Sequence, residues 1–262
     1  MAEARALIAE QIEYRELLLQ MTRRDLLLRY KQTIMGFGWA VFMPLINTII
    51  FSVVFTRVAP IETGLPYPIY AFSGLLAWNF MASSLRFAVV SLTGNANLVT
   101  KIYFPREVFP FSAVLVALVD SAIASLVLVA LMAWYGVGLS WTVALLPVVV
   151  LVHVTLTAAL ALLLALGNLF YRDVKYLFEI VLSVAMFATS VVYPVDQIGG
   201  TLGRILSLNP VTTIIDAYRS VLLRGTLPPA GPFLATAVIS ALLLVTAWAL
   251  FHRGELAFAE NI

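Results

Sequence analysis

An abrupt loss of charge near the N-terminus constrains this chain more than any other feature of its sequence. Charged residues are frequent as far as Lys31, and none then appears until Arg57. Residues 14–45 therefore pass without a linker from a charged, leucine-rich sequence into an uncharged apolar one. A chain that lies along a membrane surface and then enters the bilayer shows this change. The pattern predicts a cytoplasmic helix within residues 1–33 and a membrane domain over residues 34–262.

The composition favours a membrane protein and excludes several other classes. Of the 262 residues, 62% are hydrophobic and 11% are charged, whereas soluble domains carry about 25% charged residues. The net charge of +2 is too small to indicate a nucleic-acid partner. There is no cysteine, which excludes disulfides, a thiolate nucleophile and cysteine metal sites. The first 33 residues carry five acids and six bases, so we expect no cleavable signal peptide.

Six apolar stretches approach or exceed the roughly 20 residues that cross a bilayer. No internal repeat is visible, so the sequence predicts one all-α integral membrane domain over residues 1–262. The predicted spans are residues 38–55, 69–90, 109–134, 141–166, 177–193 and 233–251.

The distribution of basic residues predicts the orientation of these spans. With the N-terminus inside, eleven Lys and Arg residues fall on the inner side and four on the outer side. This bias places both termini in the cytoplasm. An aromatic belt is expected at the outer ends of the spans, formed by Tyr67, Tyr70, Trp134, Tyr135, Trp141 and Tyr193.

Residues 205–223 do not fit this simple pattern. The stretch is apolar but contains Asn209-Pro210, Asp216 and Arg219. As a seventh span it would move the C-terminus outside, and each buried charge would cost about 2.5–3.5 kcal/mol on insertion scales. A re-entrant helical pair between the fifth and sixth spans, entering and leaving from the outer side, fits better than a spanning helix.

Two cytoplasmic segments allow more than one interpretation. The N-terminal helix is either an anchor that binds lipid headgroups or a lever beside a cytoplasmic partner. The connection over residues 93–110 exposes Leu98, Ile102, Tyr103 and Phe104 in a loop. These side chains either dock on a partner or lie flat on the membrane.

Three ionisable residues lie within predicted spans. Arg86 is near a cytoplasmic end, where its guanidinium can reach water. Asp120 is near the middle of the third span and must pair, protonate or face water. His153, in the fourth span, is a plausible partner for Asp120. Glu179, just inside the fifth span, is expected to pair with Arg172 or Lys175.

The chemistry that the chain lacks limits its function. It has no G-x-x-x-x-G-K-[ST] phosphate loop, no H-E-x-x-H or G-x-S-x-G motif, and no acidic cluster for a metal. Six spans with cytoplasmic docking loops predict a permease that another subunit drives. The alternative is an ion-coupled secondary carrier built on Asp120 and His153, although no repeat of the kind common in carriers is visible. An integral membrane transferase would need a catalytic acid or metal site that the sequence does not show.

Short motifs in a fixed order carry a family resemblance. They are Arg24-Asp25-Leu26, Arg29-Tyr30-Lys31, Gly36, Trp39, Pro44-Leu45, Asn97-Leu98-Val99-Thr100-Lys101, Phe104-Pro105, Tyr171-Arg172-Asp173-Val174, Tyr193-Pro194 and Leu208-Asn209-Pro210. Each motif alone is weak. Together they resemble, over nearly the whole chain, the ABC-2 type permeases that export O-antigen, capsule and teichoic-acid polymers.

The resemblance implies a homodimeric pore in the cell inner membrane, bound to two copies of a separate ATPase subunit that holds ATP and Mg²⁺. This chain itself would bind lipid and a lipid-linked polysaccharide, with no cofactor, metal or catalytic residue. The resemblance assigns ATPase coupling to Asn97, Leu98, Lys101, Ile102, Phe104, Pro105, Arg106 and Glu107. It assigns the interface helix to Arg23, Arg24, Asp25, Arg29, Tyr30 and Lys31. Because sugars stack on aromatic rings, candidates for lining the channel are Trp39, Phe42, Phe80, Phe187 and Tyr193. The other candidates for the channel and its gate are Asp120 within the third span and Asn209 and Pro210 of the re-entrant pair.

Overall fold

The computed structural model describes residues 14–101 and 104–254, and every regular element in these ranges is helical. The helices are α1 (Arg15–Tyr30), α2 (Gly38–Val53), α3 (Tyr67–Val89), α4 (Ser91–Gly94), α5 (Ala96–Lys101), α6 (Val108–Trp134), α7 (Leu146–Phe170), α8 (Val174–Phe187), α9 (Gly200–Ser207), α10 (Pro210–Arg219) and α11 (Ala230–Gly254). A π-helical turn (Val54–Val58) extends α2, another (Ser220–Arg224) extends α10, and a 3₁₀ turn (Trp141–Leu145) precedes α7.

Four helices in the described ranges are long and apolar enough to cross a membrane. They are Gly38–Val58, Val108–Trp134, Trp141–Phe170 and Ala230–Gly254. The prediction of an all-helical, multi-pass membrane protein is therefore confirmed. Two predicted spans, α3 and α8, fall outside this group. Helix α8 has 14 residues, or about 21 Å at 1.5 Å per residue, which is less than the hydrocarbon thickness of about 30 Å.

Helix α3 is less apolar than these four helices, and its surroundings explain why it can be: other helices enclose it. It packs against α2, α6, α7, α8 and α10, and most of its side chains are buried. A helix sheltered from lipid can carry polar residues that a lipid-facing helix cannot. One core cluster around α3 joins Trp78 to Ala113 of α6, Ala161 of α7 and Phe178 of α8.

The helical structure is interrupted between α9 and α10, at the Asn209-Pro210 pair that the sequence predicted. Asn209 caps α10, since its side-chain oxygen accepts a hydrogen bond from the Val211 amide at 2.9 Å. Pro210 follows in the first helical position, where its missing N–H costs nothing. The Asn209 side-chain amide also donates to the Ala188 carbonyl at 3.1 Å, just after the end of α8. The predicted helical break is therefore present, and it is tied to α8.

Candidate functional site

Helix α1 joins the membrane domain through Asp120 of α6. This carboxylate pairs with the Arg29 guanidinium and accepts a hydrogen bond from the Tyr30 hydroxyl at 2.6 Å. Burial, together with that hydrogen bond, raises the pKa of the Tyr30 phenol above its ordinary value, so it stays a neutral donor. The expected pairing of Asp120 with His153 is wrong. His153 instead lies against the Phe80 ring, with its Nδ1 3.4 Å from the Tyr218 hydroxyl.

A second polar contact lies one turn earlier on α1. Asp25 forms an ion pair with Arg24 at 2.7 Å and accepts a hydrogen bond from the Ser112 hydroxyl of α6 at 2.8 Å. The Arg24 guanidinium also donates to the Asn95 side-chain carbonyl at 3.0 Å. Arg23 and Lys31, by contrast, are exposed. Two acids and two arginines therefore hold one face of α1 against α6 and the loop that follows α3.

The loop predicted to dock on an ATPase is partly folded into this chain's own core. Phe104 and Pro105 are buried, and the Phe104 ring packs on Phe109 at 5.5 Å between centroids. Glu107 is also buried and accepts a hydrogen bond from the Trp248 indole at 3.1 Å. The expectation that Phe104 inserts into a partner's groove therefore needs correction, because its neighbours lie within the chain.

The remaining residues of the loop divide into three groups. Asn97 is exposed, while Arg106 and Leu98 are half-buried, with Leu98 packed against the core cluster of Leu92 and Phe104. Lys101 ends α5, and its side chain is not described. Ile102 lies outside the described residues.

A polar groove of about 350 Å³ lies between α2, α3 and α6. Asn79, Ser83 and Arg86 reach it from one face of α3, at helical spacings of four and three residues. Asn47 reaches it from α2. In the described part of the chain, neither the Asn47 nor the Asn79 side-chain amide has a hydrogen-bond partner. The remaining lining residues include Trp39, Phe80, Asp120 and Ser121.

This groove brings together three of the channel candidates and omits the others. Trp39, Phe80 and Asp120 line it. Phe42 and Phe187 are exposed on the surface of the described chain, and the Tyr193 hydroxyl donates to the carbonyl of Phe187. Sequence reasoning missed the uncharged polar residues Asn47, Asn79, Ser83 and Ser121. Their signal in the sequence is the presence of amides and hydroxyls inside apolar spans, which is weaker than the signal of a charge or an aromatic ring.

An ion pair joins α3 to α8 near the groove. The Arg86 guanidinium lies 3.0 Å from the Glu179 carboxylate, and both side chains are about half exposed, at 51% and 49%. The expected pairing of Glu179 with Arg172 or Lys175 is therefore wrong. Sequence proximity favoured those partners, whereas the packing of α3 on α8 brings Arg86 closer.

Arg219, at the end of α10, is fully buried. Its guanidinium donates to the carbonyls of Ser190 at 2.5 Å and Val191 at 2.7 Å, and to the Tyr70 carbonyl at 3.2 Å. It also stacks on the Tyr70 ring at 3.6 Å. Gly74 leaves the necessary space, since a Cβ there would come within 2.2 Å of the Val191 carbonyl. Arg219 therefore fastens α10 and the segment after α8 to the start of α3, a role that the sequence did not reveal.

Comparisons with known proteins identify the family of this chain. A sequence model of the ABC-2 type transporter family matches residues 16–223. The chain is 32% identical over 259 residues to an O-antigen export system permease protein RfbA of Myxococcus xanthus, covering 98% of this chain and 99% of that one. It is also 27% identical over 249 residues to proteins of the same name from Klebsiella pneumoniae, covering 94% of each chain. The chain therefore belongs to the ABC-2 type transporter family.

Proposed function

We propose that this chain is the permease of an ATP-driven exporter that moves a lipid-linked polysaccharide, of the O-antigen, capsule or teichoic-acid type, across the cytoplasmic membrane. As an ABC-2 type permease it is a transmembrane subunit rather than an enzyme. The observation that carries the proposal is the polar groove, because unpaired amides at membrane depth are costly unless they meet water or a hydroxyl-rich cargo. The relatives, named as O-antigen export permeases, supply the cargo class.

The proposed topology has six spans in the inner membrane, with α3 as the second span and α8 as the fifth. Both termini lie in the cytoplasm. Contacts along α7 support a re-entrant α9–α10 pair. Ile214 packs on Val152 and Leu156, whereas Val221 packs on Val149, nearer the outer end of α7. Helix α10 therefore rises from a deep start towards the outer surface. Asn209 and Pro210 would lie at the deepest point of an outer gate.

The proposed assembly is a homodimer with two ATPase subunits, which would hold ATP and Mg²⁺. Because Phe104 and Glu107 are buried in the chain's own core, we assign the ATPase contact to the segment from Asn97 to Ile102. Helix α1 would lie beside the ATPase as the interface helix. Its contacts with Asp120 and Ser112 favour a lever over a loose anchor, because a displacement of α1 would pull on α6.

The ion-coupled carrier is not favoured. Its two key residues face different neighbours, since Asp120 contacts Arg29 and Tyr30 while His153 contacts Phe80 and Tyr218. A relay between Asp120 and His153 would need both to share a path, and no contact between them is seen among the described residues.

A surface-polysaccharide assay tests the proposed function. The double variant Asn47→Leu/Asn79→Leu removes the unpaired amides of the groove while keeping side-chain size. In cells whose only copy of the permease is this variant, we expect polysaccharide at the surface to be lost and lipid-linked polymer to accumulate inside. Thr246→Leu is the matched control, because Thr246 is an exposed hydroxyl residue on α11 that bonds only within its own helix. Normal surface polymer in the double variant would contradict the proposal.

A further inference from the structure

A second cavity continues the polar groove towards the outer side of the protein. This apolar cleft of about 480 Å³ lies between α6 and α7, above α3. Leu76, Phe80 and Ser121 line both cavities, so the two are neighbours that share the Phe80 ring as a wall. The polar groove extends from this wall towards Trp39 and Arg86, which the proposed topology places at the cytoplasmic ends of their helices. The apolar cleft extends the other way, so the two cavities lie end to end as a track that is polar at one end and apolar at the other, with the Phe80 ring between them.

The dimensions of the apolar cleft fit one hydrocarbon chain. Along α6 it runs from Leu118 to Met132, a rise of about 21 Å at 1.5 Å per residue. This length and a volume of about 480 Å³ leave room for a hydrocarbon chain. The rim is open to lipid, since Val129 is 56% exposed. The cleft is thus continuous with the lipid-facing surface of α6, where hydrocarbon is the available occupant.

One polar atom at the junction has no partner. Nε2 of His153 is buried and lacks a hydrogen-bond partner among the described residues, and the imidazole lines the cleft against the edge of Phe80. Buried polar atoms are normally paired with protein, water or ligand. A molecule that passes Phe80 with its polar linkage at this depth would supply the missing partner. The unpaired amides of Asn47 and Asn79 then lie on the side of its headgroup.

We propose that each protomer binds one single-chain anionic amphiphile across this track, with the headgroup in the polar groove and the hydrocarbon chain in the apolar cleft. The occupant is the lipid carrier of the exported polymer, an identification that rests on the proposed function. Its orientation matches a lipid of the inner leaflet, whose headgroup faces the cytoplasm. Arg86 supplies the cation for a phosphate, exchanging Glu179 for the headgroup.

Photolabelling of the purified permease tests this inference. The probe is farnesyl diphosphate with a diazirine at the far end of its chain. We expect labelled peptides from residues 118–132 of α6 and from the start of α7. Ala122→Trp fills the cleft and should reduce labelling about tenfold, while Arg86→Gln should weaken binding by about the same factor through loss of the phosphate contact. The matched control is Ala241→Trp, at another exposed alanine near the middle of α11 that lines neither cavity.

Three results would overturn the inference: equal labelling of wild type and Ala122→Trp, equal labelling by a farnesol probe without the diphosphate, or displacement of the probe by excess phosphatidylglycerol. Val129→Trp, at the open rim, repeats the test if Ala122→Trp does not fold. The labelling needs neither ATPase nor polymer, so its outcome is separate from that of the export assay. If the protein exports polymer but the cleft is not labelled, only this inference is contradicted. If the cleft is labelled but the protein exports no polysaccharide, the proposed function is contradicted.

Discussion

Two arginines, one half-buried and one fully buried, form different kinds of contact in the two halves of this protein, the inner and outer halves of the proposed topology. Arg29 of α1 meets one carboxylate, Asp120 of α6, and each of these side chains is still 15% exposed. Arg219 of α10 is fully buried and bonds three backbone carbonyls from two other segments. The first contact joins two helices through side chains alone. The second fastens three pieces of backbone around one guanidinium.

This difference indicates which half can move. An ion pair with access to water can open at modest cost, because both charges can be hydrated when they part. A guanidinium without exposure cannot leave its carbonyls unless those groups lose their hydrogen bonds in an apolar environment. We infer that α1 and the inner half move during transport, and that the outer half of each protomer moves as one body.

The largest effect is expected at the outer contact. Arg219→Leu leaves three buried carbonyls without a donor, so we expect the free energy of unfolding to fall by about 3–5 kcal/mol. Thermal unfolding of the purified chain in detergent measures this loss. Arg224→Leu, at an exposed arginine five residues after Arg219, is the control and should change stability by less than about 0.5 kcal/mol. Similar unfolding temperatures for the two variants would mean that the Arg219 contact does not stabilise this half of the protein.

The contact between α1 and α6 should show a smaller effect on stability and a clear one on function. Asp120→Asn removes the charge that Arg29 and Tyr30 share, which costs about 1.5–3 kcal/mol for hydrogen bonds to a charged group. We expect faster amide hydrogen exchange in α1, loss of export, and normal levels in the membrane. Asp173→Asn, at an exposed aspartate just before α8, should leave both unchanged. Unchanged exchange in α1 would show that Asp120 does not hold this helix.

The ATPase contact should depend on the segment before Phe104. Ile102→Asp places a charge in the proposed interface, where a large apolar side chain contributes about 2 kcal/mol or more. We expect the ATPase to be lost on co-purification, while the permease itself folds normally. Leu202→Asp changes an exposed leucine of α9, near the outer side, and serves as the control. If the ATPase co-purifies fully with the Ile102→Asp variant, the ATPase contact does not depend on this segment.

The smallest effect is expected at the ion pair between α3 and α8. Arg86 and Glu179 are both half exposed, and such pairs contribute about 0.2–1 kcal/mol. Glu179→Gln should therefore leave thermal stability almost unchanged at high salt. A loss of stability as large as that expected for Arg219→Leu would contradict the proposal that the inner half moves and the outer half is rigid.

Local sequence features predicted the helices and the break between α9 and α10. Apolar length and the Asn209-Pro210 pair act within a few residues, so their consequences can be derived without knowing the fold. The partners of charged residues could not be derived in this way. Arg29 and Asp120 are 91 positions apart, and Arg86 and Glu179 are 93 apart. Only the packing of α1 on α6 and of α3 on α8 brings them together.

Burial in the cytoplasmic loop was also beyond local reasoning. Phe104 and Glu107 looked available to a partner because they lie between two spans. In the structure, α11 reaches this loop, and its Trp248 donates a hydrogen bond to Glu107. Most of the Arg219 contact was equally hidden, since apart from Asp216 its acceptors are backbone carbonyls, which every residue carries. The sequence thus predicts the positions of the helices along the chain more readily than the contacts between them.

Paired cysteines test the contrast between the two halves most directly, because the native chain has no cysteine. One pair replaces Asp25 and Ser112, whose side chains lie 2.8 Å apart between α1 and α6. The other replaces Thr142 and Val221 on the same side as Arg219, where the Thr142 hydroxyl lies 2.8 Å from the Val221 carbonyl. We expect oxidation of the inner pair to stop export until a reductant is added, and oxidation of the outer pair to leave export unchanged. Export that continues with the inner pair cross-linked, or stops only with the outer pair cross-linked, would contradict the account.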